Sequence, residues 1–265
     1  MAEMESLGMS IKNYKYILIL LYNIVKSNHT ATLKSKGLYL IICLGKILPS
    51  SSTEYHLEIS ISLYIILKLS DAIKDISIKE MVKISETTIR KLISYLSNPD
   101  MDHARLLSVG IISFIINHTP KTNKIMAEKT VEKIIESLLN ILLSRKTEGK
   151  LKMLSANLLD TMLPIYQVDI SKGISGMSLF QWLIEVIRVN HSEICFGLLK
   201  FLKLGLARNN DVDNTTILKV FQIVSGALVK IGTKEENIPS ESAYTTELMT
   251  ILSDLLNRIQ VLLYS

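Results

Sequence analysis

Apolar residues recur at intervals of three and four along most of the chain, a spacing that predicts a succession of α-helices. In one representative stretch, Asn98-Pro99-Asp100 predicts a turn, and Asp100 or Asp102 is the expected N-cap of the helix that follows. That helix is apolar on most sides, so we expect it to be buried between neighbouring helices. Its expected core residues are Leu106, Leu107, Val109, Ile111, Ile112, Phe114, Ile115 and Ile116.

The same spacing predicts helices along the rest of the chain. Pro49 and Pro164 are expected to end two of them, and the segment 165–177, which contains Gly173 and Gly176, is expected to be the longest loop. The predicted helices cover residues 10–26, 33–48, 54–69, 78–96, 127–143, 150–163, 178–189, 193–207, 214–230 and 246–263.

The turns that precede the most apolar helices are regularly spaced. They fall near Ser51, Pro99, Thr147, Asn190 and Asn237, at intervals of 43–48 residues. Armadillo and HEAT repeats are about 40–47 residues long, so this spacing lies within or just above their range.

On this spacing the chain resembles an armadillo/HEAT-type helical repeat protein over nearly its whole length. The resemblance implies an all-α fold, a right-handed α-α superhelix, in which residues 1–265 form a single α-solenoid domain of about five repeats. A single irregular helical bundle is the alternative. The first and last helices would act as caps, and their apolar content leaves room for a partner or for self-association at either end. The first should bury the stripe Ile11, Tyr14, Ile17, Leu18, Leu21 and Val25.

Three short motifs carry a narrower resemblance. They are Lys150-Leu-Lys-Met-Leu154, then Trp182-Leu183 after a loop that contains glycine, then Glu193-Ile-Cys195. In this order they are similar to the C-terminal armadillo domain of the heat-shock-factor-2-binding protein family, meiotic adaptors that bind a recombination mediator. The resemblance implies that the chain is an adaptor for a protein partner in recombination.

Composition limits the class of protein further. With 48% hydrophobic residues, 21% charged residues and a mean hydropathy of +0.30, the chain is too apolar to be disordered. Cys43 and Cys195 lie in apolar runs and are expected to be buried thiols of a reducing compartment. Glu3 and Glu5 stand where a signal peptide would be basic, and no apolar run reaches the roughly 20 residues that cross a bilayer. We therefore expect a cytoplasmic or nuclear protein without membrane contact.

Catalytic chemistry has few candidates. Gly45-Lys46 lacks the remaining residues of a phosphate-binding loop, and no spacing typical of a metal site occurs. The histidines are isolated and mostly fall in predicted turns, where imidazoles are usually solvated. They are His29, His56, His103, His118 and His191. The sequence therefore predicts neither an enzyme nor a cofactor or metal site.

Basic residues form the main candidate binding site. In a stack of repeats about 45 residues long, consecutive turns align on one edge, so two basic turns would form a ridge for an acidic peptide or for phosphates. The alternative is that these lysines are separate and merely solvated. The basic ridge consists of Lys121, Lys124, Lys129, Lys133, Arg145, Lys146, Lys150 and Lys152.

Trp182 is the candidate recognition aromatic, with a core position as the alternative. Nuclear import receptors of the armadillo class repeat a Trp-x-x-x-Asn array, whereas Val186 is the fourth residue after this single tryptophan. The sequence thus predicts a non-enzymatic scaffold or adaptor that binds an unidentified protein or peptide. The alternative is a nucleic-acid-binding HEAT-like protein that uses the basic ridge, since the net charge is +5 and the pI is near 9.0.

Overall fold

A computed structural model shows a chain whose described residues are almost all helical, and the chain divides into two compact units. The N-terminal unit is Met1–Ser137 and the C-terminal unit is Leu138–Ser265. The structure describes residues 11–27, 37–48, 55–72, 86–117, 126–166, 173–174, 177–190, 198–199, 203, 214–232 and 239–264.

Helices make up nearly all of the described residues, as the spacing of apolar positions predicts. They are α1 (Ile11–Lys26), α2 (Gly37–Ile47), α3 (His56–Ala72), α4 (Glu86–Leu96), α5 (Asp102–Asn117), α6 (Glu128–Leu143), α7 (Gly149–Ile165), α8 (Leu179–Val189), α9 (Asn214–Gly232) and α10 (Pro239–Tyr264). Between α7 and α8, the short strands β1 (Gly173–Ile174) and β2 (Met177–Ser178) pair antiparallel.

The helices of the N-terminal unit pack in two layers. In one layer α1 packs on α3 and α3 packs on α5, while in the other α2 packs on α4. The layers join through two hairpins, because α2 also packs on α3 and α4 on α5. Helix α3 therefore has neighbours on several sides, which explains why apolar residues surround its axis almost completely.

Contacts within each layer join residues at a nearly constant separation in sequence. The Tyr22 and Tyr64 rings, for example, have centroids 5.4 Å apart. A separation of 42–45 residues is shared by the pairs Lys15 and Glu58, Tyr22 and Tyr64, Gly45 and Thr88, Leu67 and Gly110, and Lys46 and Lys91. This separation matches the lower part of the range of turn spacings in the sequence.

The turn between α4 and α5 is held by a buried arginine. The Arg105 guanidinium donates through Nε to the Leu96 carbonyl oxygen at 3.1 Å and through Nη1 to Asp102 Oδ1 at 2.9 Å. The first bond satisfies a carbonyl in the last turn of α4, which has no donor within its own helix. The predicted core of α5 is confirmed except at Leu106, which is only half-buried.

In the C-terminal unit, α8, α9 and α10 share one apolar cluster. Helix α8 starts with a capping box, in which Ser178 Oγ accepts from the Gln181 N–H and Gln181 Oε1 accepts from the Ser178 N–H. The buried members of the cluster are Phe180, Ile184, Ile187, Leu199, Ile217, Val220, Val224, Leu248, Ile251 and Leu255.

Several predicted helix ends were wrong by a few residues. Pro164 lies inside the last turn of α7 instead of ending it, because it removes a single backbone hydrogen bond and the Tyr166 N–H still bonds the Met162 carbonyl oxygen of that turn. Helix α10 starts at Pro239 rather than near Thr246, since the first helical position needs no N–H donor. Asp102, one of the two residues predicted as the N-cap of α5, is the first residue of that helix.

Other predictions were wrong or lie outside the described residues. Strand β1 and the first residue of β2 fall in the predicted loop 165–177, and Cys43 is a half-buried free thiol rather than a fully buried one. The segments 33–36 and 78–85 lie outside the described residues, as do Cys195 and all of the predicted helix 193–207 except residues 198, 199 and 203.

Substitutions of two glycines should have opposite effects on stability, because α2 and α4 approach closely at Gly45 whereas Gly226 has open space around it. A Cβ atom on Gly45 would lie 2.6 Å from Thr88 Oγ1, whereas a Cβ on Gly226 in α9 would meet nothing within 4 Å. Gly45→Ala should lower the free energy of unfolding by about 1–2 kcal/mol through overpacking. Gly226→Ala should raise it by up to about 1 kcal/mol, because alanine favours helix. Urea denaturation measures both, and equal effects would contradict the close contact.

Candidate functional site

The first part of the predicted basic ridge is balanced by acidic residues. Lys129 and Lys133 are exposed on α6, as predicted. They alternate along that helix with three glutamates, Glu128, Glu132 and Glu136, so this segment has no net positive charge. Lys121 and Lys124 lie outside the described residues.

The second part of the ridge presents a stronger positive charge. Arg145 and Lys146 lie in the turn after α6, Lys150 lies in the first turn of α7, and all three are exposed. Glu148 is the one acidic residue in the segment 144–152. We call Arg145, Lys146 and Lys150 the Arg145 cluster. Their exposure leaves three cations available for an acidic partner.

Lys152, the last residue of the predicted ridge, has a structural role instead. Its side chain is half-buried, and Nζ donates to Asn190 Oδ1 at 3.0 Å. The Asn190 amide in turn donates through Nδ2 to the carbonyl oxygens of Leu142 and Val186, both at 2.9 Å. Asn190 thus satisfies carbonyls at the ends of α6 and α8, and Lys152 orients its amide group.

Trp182 is half-buried on α8. The buried residues of the same helix, Phe180 and Leu183 among them, face the core of the C-terminal unit. Three residues after Trp182, the Glu185 carboxylate pairs with Arg188 at 2.7 Å and lies 3.6 Å from the Lys219 ammonium. Half-burial alone does not distinguish the recognition role predicted for Trp182 from the core alternative, so both stay predictions.

The sequence pattern left room for a partner or for self-association at the first helix but did not predict which apolar residues of α1 are exposed. Tyr16, Ile17, Ile19 and Leu20 are 63%, 42%, 51% and 62% exposed, whereas Leu18 and Val25 on the other side are buried. Ile17 was predicted on the buried stripe and is not there; the side chains of Ile11 and Tyr14 lie outside the described residues. The available signal was that the first predicted helix is apolar on more than one side.

An ion pair links this helix to its neighbour. Lys15 Nζ lies 2.7 Å from Glu58 Oε1, and the Glu58 side chain is only 9% exposed. Burial raises the pKa of Glu58, but the hydrogen bonds from Lys15 and from the backbone, with the Lys15 charge, outweigh it and hold that pKa below its ordinary 4.5. The hydrogen bond to Glu58 raises the pKa of Lys15 above 10.5. Both shifts favour the charged pair.

The described residues contain no group of three or more His, Cys, Asp or Glu side chains that could hold a metal ion. Two histidines are described, with His56 half-buried at the start of α3 and His103 exposed in the first turn of α5. No helix in the described part of the chain is both long and apolar enough to cross a membrane.

Comparison with known proteins adds no relative. No family model matches the sequence, and no curated protein or solved structure matches it either. The resemblances to armadillo/HEAT proteins and to the heat-shock-factor-2-binding protein family therefore stay predictions.

Two lysines of the predicted ridge should differ in their effect on stability. Lys152→Ala removes the hydrogen bond to Asn190 and should lower the free energy of unfolding by about 0.5–1.5 kcal/mol. The matched variant Lys150→Ala removes an exposed cation and should change it by less than about 0.5 kcal/mol. Chemical denaturation checks both, and equal effects would show that Lys152 is an ordinary surface lysine.

The Lys15–Glu58 pair predicts a pH-dependent stability. Glu58→Gln should lower the free energy of unfolding at neutral pH by about 1 kcal/mol, a value discounted for the exposed Lys15. Because the pKa of Glu58 is lower in the folded state, its stabilisation is present above about pH 4.5 and is lost as the pH falls through the folded value. The variant and the wild type should therefore converge in acid. On the alkaline side, the pKa of Lys15 is higher in the folded state than its ordinary 10.5. The stabilisation from the ion pair is therefore present below pH 10.5 and is lost as the pH rises through the folded value.

Urea unfolding across this pH range measures the difference. Glu148→Gln, at an exposed carboxylate, is the control and should show no such convergence. A deficit of Glu58→Gln that stays constant down to low pH would contradict the ion pair.

Proposed function

We propose that the chain is a non-enzymatic protein-interaction scaffold built as an armadillo/HEAT-like α-solenoid, with about five repeats over residues 1–265. The observation that supports this most is the stacking of α1 on α3 and α3 on α5 beside α2 on α4, with contacts between residues 42–45 apart. Repeats that contact the next repeat along the chain are the basis of a solenoid.

Polar contacts in the C-terminal unit support the same period. Asn190 Nδ2 donates to the carbonyl oxygen of Leu142, 48 residues earlier, and Lys203 Nζ lies 3.4 Å from Glu247 Oε2, 44 residues later. The separation of 44 lies within the N-terminal range of 42–45, and the separation of 48 lies slightly above it. A scaffold of this kind presents side chains from successive repeats on one extended surface, which suits a protein or peptide partner better than a small substrate.

The Arg145 cluster is the surface that we propose for the partner. Its three exposed cations are accompanied by one glutamate, so the expected partner segment is acidic. If the partner is a recombination mediator, as the resemblance to the heat-shock-factor-2-binding protein family implies, the chain is a meiotic adaptor. A cytoplasmic or nuclear location is part of the proposal.

Charge reversal at the Arg145 cluster tests this function. The triple variant Arg145→Glu, Lys146→Glu, Lys150→Glu should lose at least about 90% of the partner captured from native lysate, because like charges would face an acidic segment. Its melting temperature should stay within about 2 °C of the wild type, since the side chains are exposed. Capture is quantified by mass spectrometry against the wild type.

The control variant reverses two exposed lysines elsewhere, Lys46→Glu and Lys68→Glu, and should capture as the wild type does. Capture by the triple variant at the wild-type level would sink the assignment of this surface. Binding to arbitrary DNA or RNA that falls steeply with added salt, and that the triple variant loses, would support the nucleic-acid alternative instead.

A further inference from the structure

Helix α1 has apolar residues around most of its surface, but the described elements cover it on only one side. Leu18 and Val25 are 1% and 2% exposed, and α1 packs on α3. Around the rest of the helix, Tyr16 and Leu20 lie one turn apart with Ile17 and Ile19 beside them, and all four are exposed. We call these four residues the α1 face. Contiguous exposed apolar residues of this kind mark an interaction site.

The neighbouring helix α3 shows what such a face requires. Helix α3 is also apolar around most of its surface, and it has α1 on one side and α5 on another. Its Ile59, Leu63 and Ile66 are at most 1% exposed. A helix with apolar residues on opposite sides thus takes a helix on each side in this layer, and α1 lacks the second one among the described residues.

We propose that the α1 face is a docking site for one amphipathic helix of another protein, with acidic residues along the edges of its apolar stripe. The charge of α1 indicates the acidic edges, because this helix contains Lys12, Lys15 and Lys26 and no aspartate or glutamate. The Glu58 carboxylate offsets the charge of Lys15, so the positive charge that α1 adds beyond this pair comes from Lys12 and Lys26. The proposal rests on the scaffold function above but involves no residue of the Arg145 cluster.

The size and charge of the α1 face argue against a second copy of this chain. A stable interface between two folded proteins involves about 20–30 residues on each side, far more than four apolar side chains. A symmetric contact would also place the lysines of one α1 near those of the other. A single docking helix instead needs only a few anchor side chains, at i, i+3, i+4 and i+7 of its own sequence. Tyr16, Ile19 and Leu20 offer exposed apolar side chains along α1 for such anchors to contact.

A membrane surface fits less well. Interfacial helices combine a broad apolar face with a polar face rich in lysine and arginine that stays in water. The side of α1 opposite its exposed face packs on α3 and carries the buried Leu18 and Val25. Helix α1 is therefore shaped for a protein neighbour on both sides.

Two designed peptides test the proposal on the full chain. Each is an amphipathic helix of about 20 residues with leucine anchors, and the flanking residues are glutamate in one and lysine in the other. Fluorescence anisotropy should show the glutamate peptide binding at least about tenfold more tightly than the lysine peptide. Leu20→Glu should weaken that binding about tenfold or more, because it puts a like charge in the apolar face.

Val229→Glu is the matched control, since Val229 is 65% exposed on α9, outside the α1 face. It should bind the glutamate peptide as the wild type does, and Leu20→Glu should keep its helical circular dichroism and melting temperature. No binding of the glutamate peptide, equal binding of the two peptides or full binding by Leu20→Glu would each overturn the proposal.

Two further measurements identify a different occupant. A dimer by light scattering that Leu20→Glu converts to a monomer would assign the face to a second copy. Cosedimentation with phosphatidylserine vesicles that Leu20→Glu abolishes, without peptide binding, would assign it to a membrane. The triple variant of the Arg145 cluster should still bind the glutamate peptide. If charge reversal at the Arg145 cluster does not reduce partner capture, the peptide result at the α1 face still stands. A negative peptide result likewise leaves the assignment of the Arg145 cluster unchanged.

Discussion

The N-terminal unit depends on the close stacking of helices whose contacting residues lie 42–45 positions apart in sequence. Helix α3 can be apolar on nearly every side only because α1 and α5 remove its side chains from water. Small residues allow the approach: Gly45 leaves room for Thr88, and Gly110 leaves room for Leu67. This stacking forms the two layers, which the α2–α3 and α4–α5 hairpins connect. It also buries one side of α1 and leaves the α1 face exposed.

The ends of α2, α4 and α6 show how the turns are stabilised. The carbonyl oxygens of Lys46, Leu96 and Leu142 accept hydrogen bonds from side chains of later elements, namely Lys91, Arg105 and Asn190. The last carbonyls of a helix have no donor within it, so a long side chain from an element later in the chain satisfies them. Burial of the Arg105 guanidinium is tolerated because it bonds both a carbonyl and the Asp102 carboxylate.

The two proposed surfaces differ in the physics of binding. The Arg145 cluster consists of exposed cations, so its affinity would be sensitive to salt and its main effect would be on the rate of encounter. The α1 face would bind chiefly by removing apolar side chains from water, with the lysines of α1 selecting an acidic partner. Scaffolds commonly combine such surfaces, because charge orients a partner and apolar anchors then hold it.

The sequence by itself determined the all-α class, most helix positions to within a few residues and the separation of about 43–48 residues. These follow from the period of apolar residues, which reports the local conformation. Tertiary structure alone decided which apolar faces are covered. Leu106 and Ile17 occupy stripes like those of buried neighbours and yet remain accessible, and Lys152 points to Asn190 while Lys150 points to solvent. Periodicity identifies the face of a helix, but the presence of a neighbour against that face depends on residues far away in the chain.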